Sequence, residues 1–219
     1  MKKFKLVLWV GLLCIMTNTI TAQDDSVINP PLTIEPFFGN RALAYQMIIN
    51  KKLQSHSRLG FLGISNFQAE WKNHEVADFS HQGYINYSLG HGFDINAGFI
   101  WIPFDGIRPS AGFLYTYANP DLLIIANPRS DLAKNPNADM LLLAEYRPNL
   151  NDKTKLYTRA QGLYGYNFSL KGHTRSYLML RAGITFNDVT IGLANDFDYF
   201  GPEKLRLNNF GGFVMVDLF

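Results

Sequence analysis

Hydrophobic and polar residues alternate one for one over most of the chain beyond residue 31. Along Phe93, Ile95, Ala97, Phe99 and Trp101 every second side chain is apolar, and Asp94, Asn96 and Gly98 between them are polar or small. A β-strand turns successive side chains to opposite faces, so such a segment has one greasy and one polar face. The same period sets Ala111, Phe113, Tyr115 and Tyr117 against Arg108, Ser110, Gly112 and Thr116. It sets Leu156, Ala160, Tyr164 and Tyr166 against Arg159, Gln161 and Asn167, and Leu178, Leu180, Ala182 and Ile184 against Arg175, Tyr177 and Arg181. The final segment opposes Phe210, Val214, Val216 and Leu218 to Asn209, Gly211 and Asp217.

Twelve segments follow this rule: 32–38, 41–54, 57–71, 78–89, 92–104, 107–118, 121–127, 138–147, 154–168, 174–186, 188–197 and 207–219. Ten strands is the fallback, because the first segment is short and carries Pro36, and the seventh lies between Pro120 and Pro128. Most segments reach the roughly 9–11 residues a tilted strand needs to cross a bilayer, and no apolar run beyond residue 22 is long enough for a membrane-spanning helix. The expected fold is all-β: an antiparallel up-and-down transmembrane barrel over residues 32–219, with an even strand count. With both ends on the periplasmic side, the short turns fall at 54–56, 90–91, 118–120, 148–153 and 187. The outer loops fall at 72–77, 127–137, 169–173 and 198–206, with Gly39-Asn40 and Asp105-Gly106 as tight outer hairpins. No helical period, internal repeat or low-complexity tract competes.

Residues 1–22 change the picture of the remainder. Lys2, Lys3 and Lys5 precede an apolar run over 6–16, and Ala22 is a small residue at a cleavage point, the order of a secretory signal peptide. Cys14, the sole cysteine, lies inside that run after Leu13, so it is no lipoprotein site, and the exported remainder has neither disulfide nor thiol nucleophile. Removing residues 1–22 takes three lysines and no acids from 20 basic and 18 acidic residues, which leaves the remainder one unit negative. That balance offers no electrostatic footprint for nucleic acid. Residues 23–31, with Pro30 and Pro31, read as a flexible tail.

Periodicity does not say which way the greasy face looks. Outward, the chain is a membrane barrel; inward, it is a soluble periplasmic ligand-binding barrel. The polar face is rich in Gly, Ser, Asn, Gln and Thr with sparse charge, which suits a crowded lumen, and tyrosines gather at segment ends where headgroups would lie. Phe219 ends the chain directly after an alternating strand. In these features the sequence resembles small, uncharacterised outer-membrane β-barrel proteins of Gram-negative bacteria, whose terminal aromatic residue is read by the barrel-insertion machinery. The stretch Glu145, Tyr146, Arg147, Pro148 and the paired strands over 156–186 are similar to members of that class. The resemblance implies export through the Sec pathway, location in the outer membrane, contact with its lipids and with the insertion machinery, and Phe219 as the insertion signal. Asp217 departs from it, standing where the class carries a second hydrophobic residue.

Candidate chemistry lies on the polar face. Arg108, Arg159, Arg175 and Arg181 with Asp94, Glu145, Asp188, Asp196 and Asp217 are the charges a narrow lumen would enclose, and guanidinium–carboxylate pairing is the way to enclose them. Arg108, Arg159, Arg181, Asp94, Glu145 and Asp217 are taken as a lumen charge ladder that plugs the barrel or lines a porin-like conduit. His56, His74, His81, His91 and His173 have no metal-ligand spacing, so neither metal nor cofactor is expected. His81, near Ser80, Gln82, Ser65 and Asn66, is the one residue that keeps a lipid-modifying enzyme open as an alternative, although no Gly-x-Ser-x-Gly segment is present. The loops around Arg129, Asp131, Lys134 and Asp139, and around 199–206, are the expected contact surfaces for an outside protein partner. The reading is thus a non-catalytic outer-membrane barrel with a structural, passive-transport or surface-interaction role.

Overall fold

Val, Ile, Phe, Tyr and Thr at a period of two favour extended backbone, and strands form throughout that pattern. The structure is a computed structural model that describes residues 29–53, 58–72, 76–103 and 106–218. The signal segment 1–22, most of the tail, His56, His74, Asp105 and Phe219 lie outside the described residues. The strands are β1 (Leu32–Gly39), β2 (Ala42–Lys52), β3 (Leu59–Glu70), β4 (Val76–Gly90), β5 (Phe93–Ile102), β6 (Gly106–Ala118), β7 (Leu122–Asp131), β8 (Asn137–Tyr146), β9 (Asn149–Asn151), β10 (Thr154–Asn167), β11 (Gly172–Phe186), β12 (Val189–Phe200) and β13 (Leu205–Leu218). All pairings are antiparallel, and β13 pairs with β1 through Val216 and Ile34, which closes the sheet on itself. Short β9 is no separate wall element. Thr158 faces Tyr146 and Lys155 faces Asn149, the same register on either side of Pro148, so β9 continues β8 and the barrel has twelve staves.

The seventh stave runs further than the prolines suggested. Pro128 has no N–H to donate, yet β7 continues to Asp131, because Asn127 turns its side-chain amide to the Phe113 carbonyl at 2.7 Å and supplies the missing bond. The expected outer loop 127–137 therefore shrinks to 132–136, and 198–206 shrinks to 201–204 because β12 and β13 extend into it. Connections at the two ends are then similar in length. Asparagines shape several: Asn119 Oδ1 accepts the Asp121 and Leu122 N–H groups, and Asn151 Oδ1 accepts those of Lys153 and Thr154.

Apolar rows face outward. On β12, Ile191 and Leu193 are 58% and 61% exposed while Ala194 between Leu193 and Asn195 is 2% exposed. Phe93, Ile95, Phe99 and Trp101 on β5, Phe113 on β6 and Phe210 on β13 are likewise exposed. Neighbouring strands approach closely at glycines. A Cβ on Gly98 would sit 1.9 Å from the Gly83 carbonyl oxygen, and one on Gly192 would sit 2.2 Å from that of Ala182, so no other residue allows these approaches. Inside, Leu62, Ile64, Tyr84, Ile100, Leu114, Ile125, Leu141, Leu143 and Tyr177 pack as one apolar cluster, and Phe37, Tyr157, Ala194, Phe213 and Met215 as a second.

Candidate functional site

The lumen ladder grows from a conflict in the sheet. Arg159 on β10 lies directly opposite Arg181 on β11, and like charges facing across a strand pair repel. Glu35 resolves it by reaching in from β1, its Oε1 accepting from Arg159 Nη2 at 2.8 Å and from Arg181 Nε at 2.7 Å. Its side chain is 1% exposed, as is that of Arg159. Arg181 also donates to Asp196 at 2.5 Å and to the Leu180 carbonyl at 3.0 Å, with the rings of Phe37 and Phe213 flanking the guanidinium. Both charges of each sign are thus paired, with Glu35, Arg159 and Arg181 almost wholly buried.

The ladder continues to both rims. Toward the 187–188 turn, Arg147 donates to Glu145 at 2.6 Å and to Asp217, while Tyr157 Oη donates to Glu145 at 2.8 Å. At the other end Arg175 on β11 bonds Asp198 on β12 at 2.6 Å and Asp78 on β4 at 2.7 Å. Staves β4 and β11 are six apart, so the Arg175–Asp78 pair bolts directly opposite walls together. On the remaining wall Arg108 bonds Asp131 at 2.6 Å, and Arg129 meets Asp139 at 3.5 Å and Gln82.

The structure therefore places Arg159, Arg181, Glu145 and Asp217 on one connected wall, and Arg108 on the other. Asp94 faces the lumen near the 91–92 turn, hydrogen-bonded to Ser88 and away from the arginine ladder. Asp188 lies in the 187–188 turn, where its carbonyl accepts the Asp217 N–H at 2.8 Å. Arg129 and Asp131 are each 5% exposed inside the barrel, so the loop surface expected around them is 132–136 only. Sequence reasoning missed Glu35, Asp78, Arg147 and Asp198. Glu35 carried a usable sign: a lone carboxylate in register with Thr33 and Phe37, opposite Ile34 and Phe38. Among the described residues, no three His, Cys, Asp or Glu side chains are grouped to hold a metal.

No protein-family model matches the chain, and no curated protein matches its sequence. Solved structures do share its architecture. The NanC porin is 14% identical, with 86% of this chain and 100% of that chain covered at a TM-score of 0.54. The KdgM porin is 9% identical, with 86% and 99% covered at a TM-score of 0.48. The fold is that of outer-membrane porins.

Within this porin fold the lumen is filled. Inward-facing Leu62, Leu114, Gln161 and Asn127 are each 0% exposed, whereas residues lining an open channel would touch water. Contacts cross the interior at several heights: Asn50 on β2 donates to Thr116 on β6 at 3.3 Å, and Gln46 on β2 reaches the Met179 sulfur on β11 at 3.9 Å. Beneath the Arg175–Asp78 bolt lies a cavity of about 30 Å³ among Gln46, Asn66, Met179 and Asp196, space for about one water molecule.

Proposed function

We propose that the protein is an integral outer-membrane β-barrel that stands closed, with a structural or surface-contact role, and that passage of solute requires its cross-wall ion pairs to open. The observation that carries this reading is the direction of the two faces: apolar rows outward around the ring, arginines and carboxylates enclosed. In hydrocarbon a closed sheet satisfies all its backbone groups, and an apolar exterior is the form such a sheet takes there. In water the same exterior would be a continuous apolar surface far larger than soluble monomers carry, which disfavours the soluble ligand-binding alternative. Aromatic residues at the two rims support the membrane reading: Tyr87, Phe93 and Tyr146 at one, Trp71, Trp101 and Tyr164 at the other, all exposed.

Export through the Sec pathway with removal of residues 1–22 belongs to the same proposal, as does handling by the barrel-insertion machinery. Asp217 fits it: the outward row of β13 is Phe210, Val214, Val216 and Leu218, and Asp217 points inward to Arg147. The hydrophobic row offered at the end of the chain is therefore intact, one position out of step with the usual pattern. Cell fractionation with heat-modifiable gel migration and bilayer recording tests the proposal. The expected result is outer-membrane recovery, a mature amino terminus at Gln23, a heat-dependent shift and no steady current. Recovery from the soluble periplasm would overturn the membrane reading, and a steady wild-type current would overturn closure.

A further inference from the structure

Around β3, β4 and β5 the outward rows are apolar or small, with Tyr87 at the rim, except at one point. Ser65 and His81 stand there together. They are direct partners across the β3–β4 ladder, and His81 is in turn the direct partner of Trp101 across β4–β5. The Ser65 hydroxyl and His81 Nδ1 are 2.7 Å apart. The imidazole is clamped, with Trp101 stacked on it at 5.7 Å and 11° and Phe79 edge-on at 4.7 Å. His81 is level with Trp101 at the rim, where lipid headgroups and ester groups lie, and packing on this wall would be served equally by an apolar residue. What the pair has that an apolar residue lacks is a hydroxyl held at hydrogen-bond distance from a base.

We propose that Ser65 and His81 form a nucleophile–base pair that cleaves acyl esters of membrane lipids at the outer face of the barrel wall. His81 Nδ1 takes the Ser65 hydroxyl proton as Oγ bonds to the ester carbonyl carbon. The carbon–oxygen bond to the lipid alcohol then breaks, and the proton passes from His81 to that leaving oxygen. Water, deprotonated by His81, releases the fatty acid and restores Ser65. Ser65 is only 9% exposed, so the ester enters beside the imidazole edge. That approach suits an acyl chain lying along the wall and not a bulky water-soluble ester.

The chemistry is shared by glycerophospholipids and by the ester-linked chains of lipid A, and the test separates them. Full-length mature protein, folded by the criterion of heat-modifiable migration, is treated with a fluorophosphonate probe. It is also incubated with phosphatidylethanolamine–phosphatidylglycerol vesicles and, in parallel, with lipid A vesicles. The proposal requires labelling of the wild type, none in Ser65→Ala, at least about a hundredfold slower labelling in His81→Ala, and wild-type labelling in Ser80→Ala, whose residue faces the lumen. Fatty acid release from one vesicle type names the substrate. Labelling that persists in Ser65→Ala, or no fatty acid release from either vesicle by folded protein, overturns it. Neither outcome bears on the barrel reading, because heat-modifiable migration is scored on the same samples.

Discussion

Glu35 is the residue on which the enclosed charges depend. Two guanidinium groups converge on one carboxylate that is almost wholly buried, so removing it leaves Arg159 and part of Arg181 uncompensated in the barrel interior. Glu35→Ala is expected to cost about 3–5 kcal/mol in urea unfolding from detergent micelles, because breaking a buried pair strands the partner charge. Replacing Glu35, Arg159, Arg181 and Asp196 together by leucine or methionine, which leaves no member of the cluster charged, is expected to cost less than Glu35→Ala alone; a larger loss would show that the ion pairs themselves stabilise the fold. The arginines were visible in the sequence because each falls on the polar face of a clean alternation. Their partner was not, since Glu35 is separated from Arg159 by 124 residues and nothing local assigns a lone carboxylate to guanidiniums on another wall.

At the scale of elements, a period of two placed the twelve staves well, since each strand buries one face and a slip of one residue would reverse it. What local pattern could not supply was the end of β7. Pro128 reads as a stop, and only the side chain of Asn127, bonded to the Phe113 carbonyl on β6, shows how the strand passes through it. Asn127→Leu is expected to leave that buried carbonyl unpaired and to cost about 1–3 kcal/mol, with faster amide exchange confined to β6 and β7. Wild-type exchange there would mean that the bond does not carry the strand past the proline. Loop lengths were misjudged for the same reason: turn-forming residues such as Asn137 and Asp198 mark a loop in a sequence, but here they lie in paired strands.

For the whole molecule, closure of the ring was legible and closure of the lumen was not. The sparse charge of the polar face pointed to an enclosed interior, but the inward apolar residues Leu62, Leu114, Ile125 and Leu143 lie in runs such as 122–125 and 141–143 that are greasy on both faces. Their meeting depends on closure of the ring, a property of the sheet and not of any one strand. The Arg175–Asp78 pair closes the mouth above this packed interior. In a Met179→Cys background, adding Arg175→Ala is expected to speed labelling by a water-soluble maleimide roughly tenfold by exposing the thiol, with Ala at Arg147, at the far rim, as the control that leaves it slow. Equal rates in all three proteins would show that Arg175 does not seal the mouth. The most direct test of the central claim is the accessibility of spin labels placed singly at residues 190, 191 and 193–197 of the protein in bilayers. Labels at Ile191, Leu193, Asn195 and Phe197 are expected to collide with oxygen dissolved in lipid, and those at Thr190, Ala194 and Asp196 to meet neither oxygen nor a water-soluble nickel complex. Nickel access at the first set, or the absence of a two-residue period, would contradict an apolar face turned to lipid around a closed core.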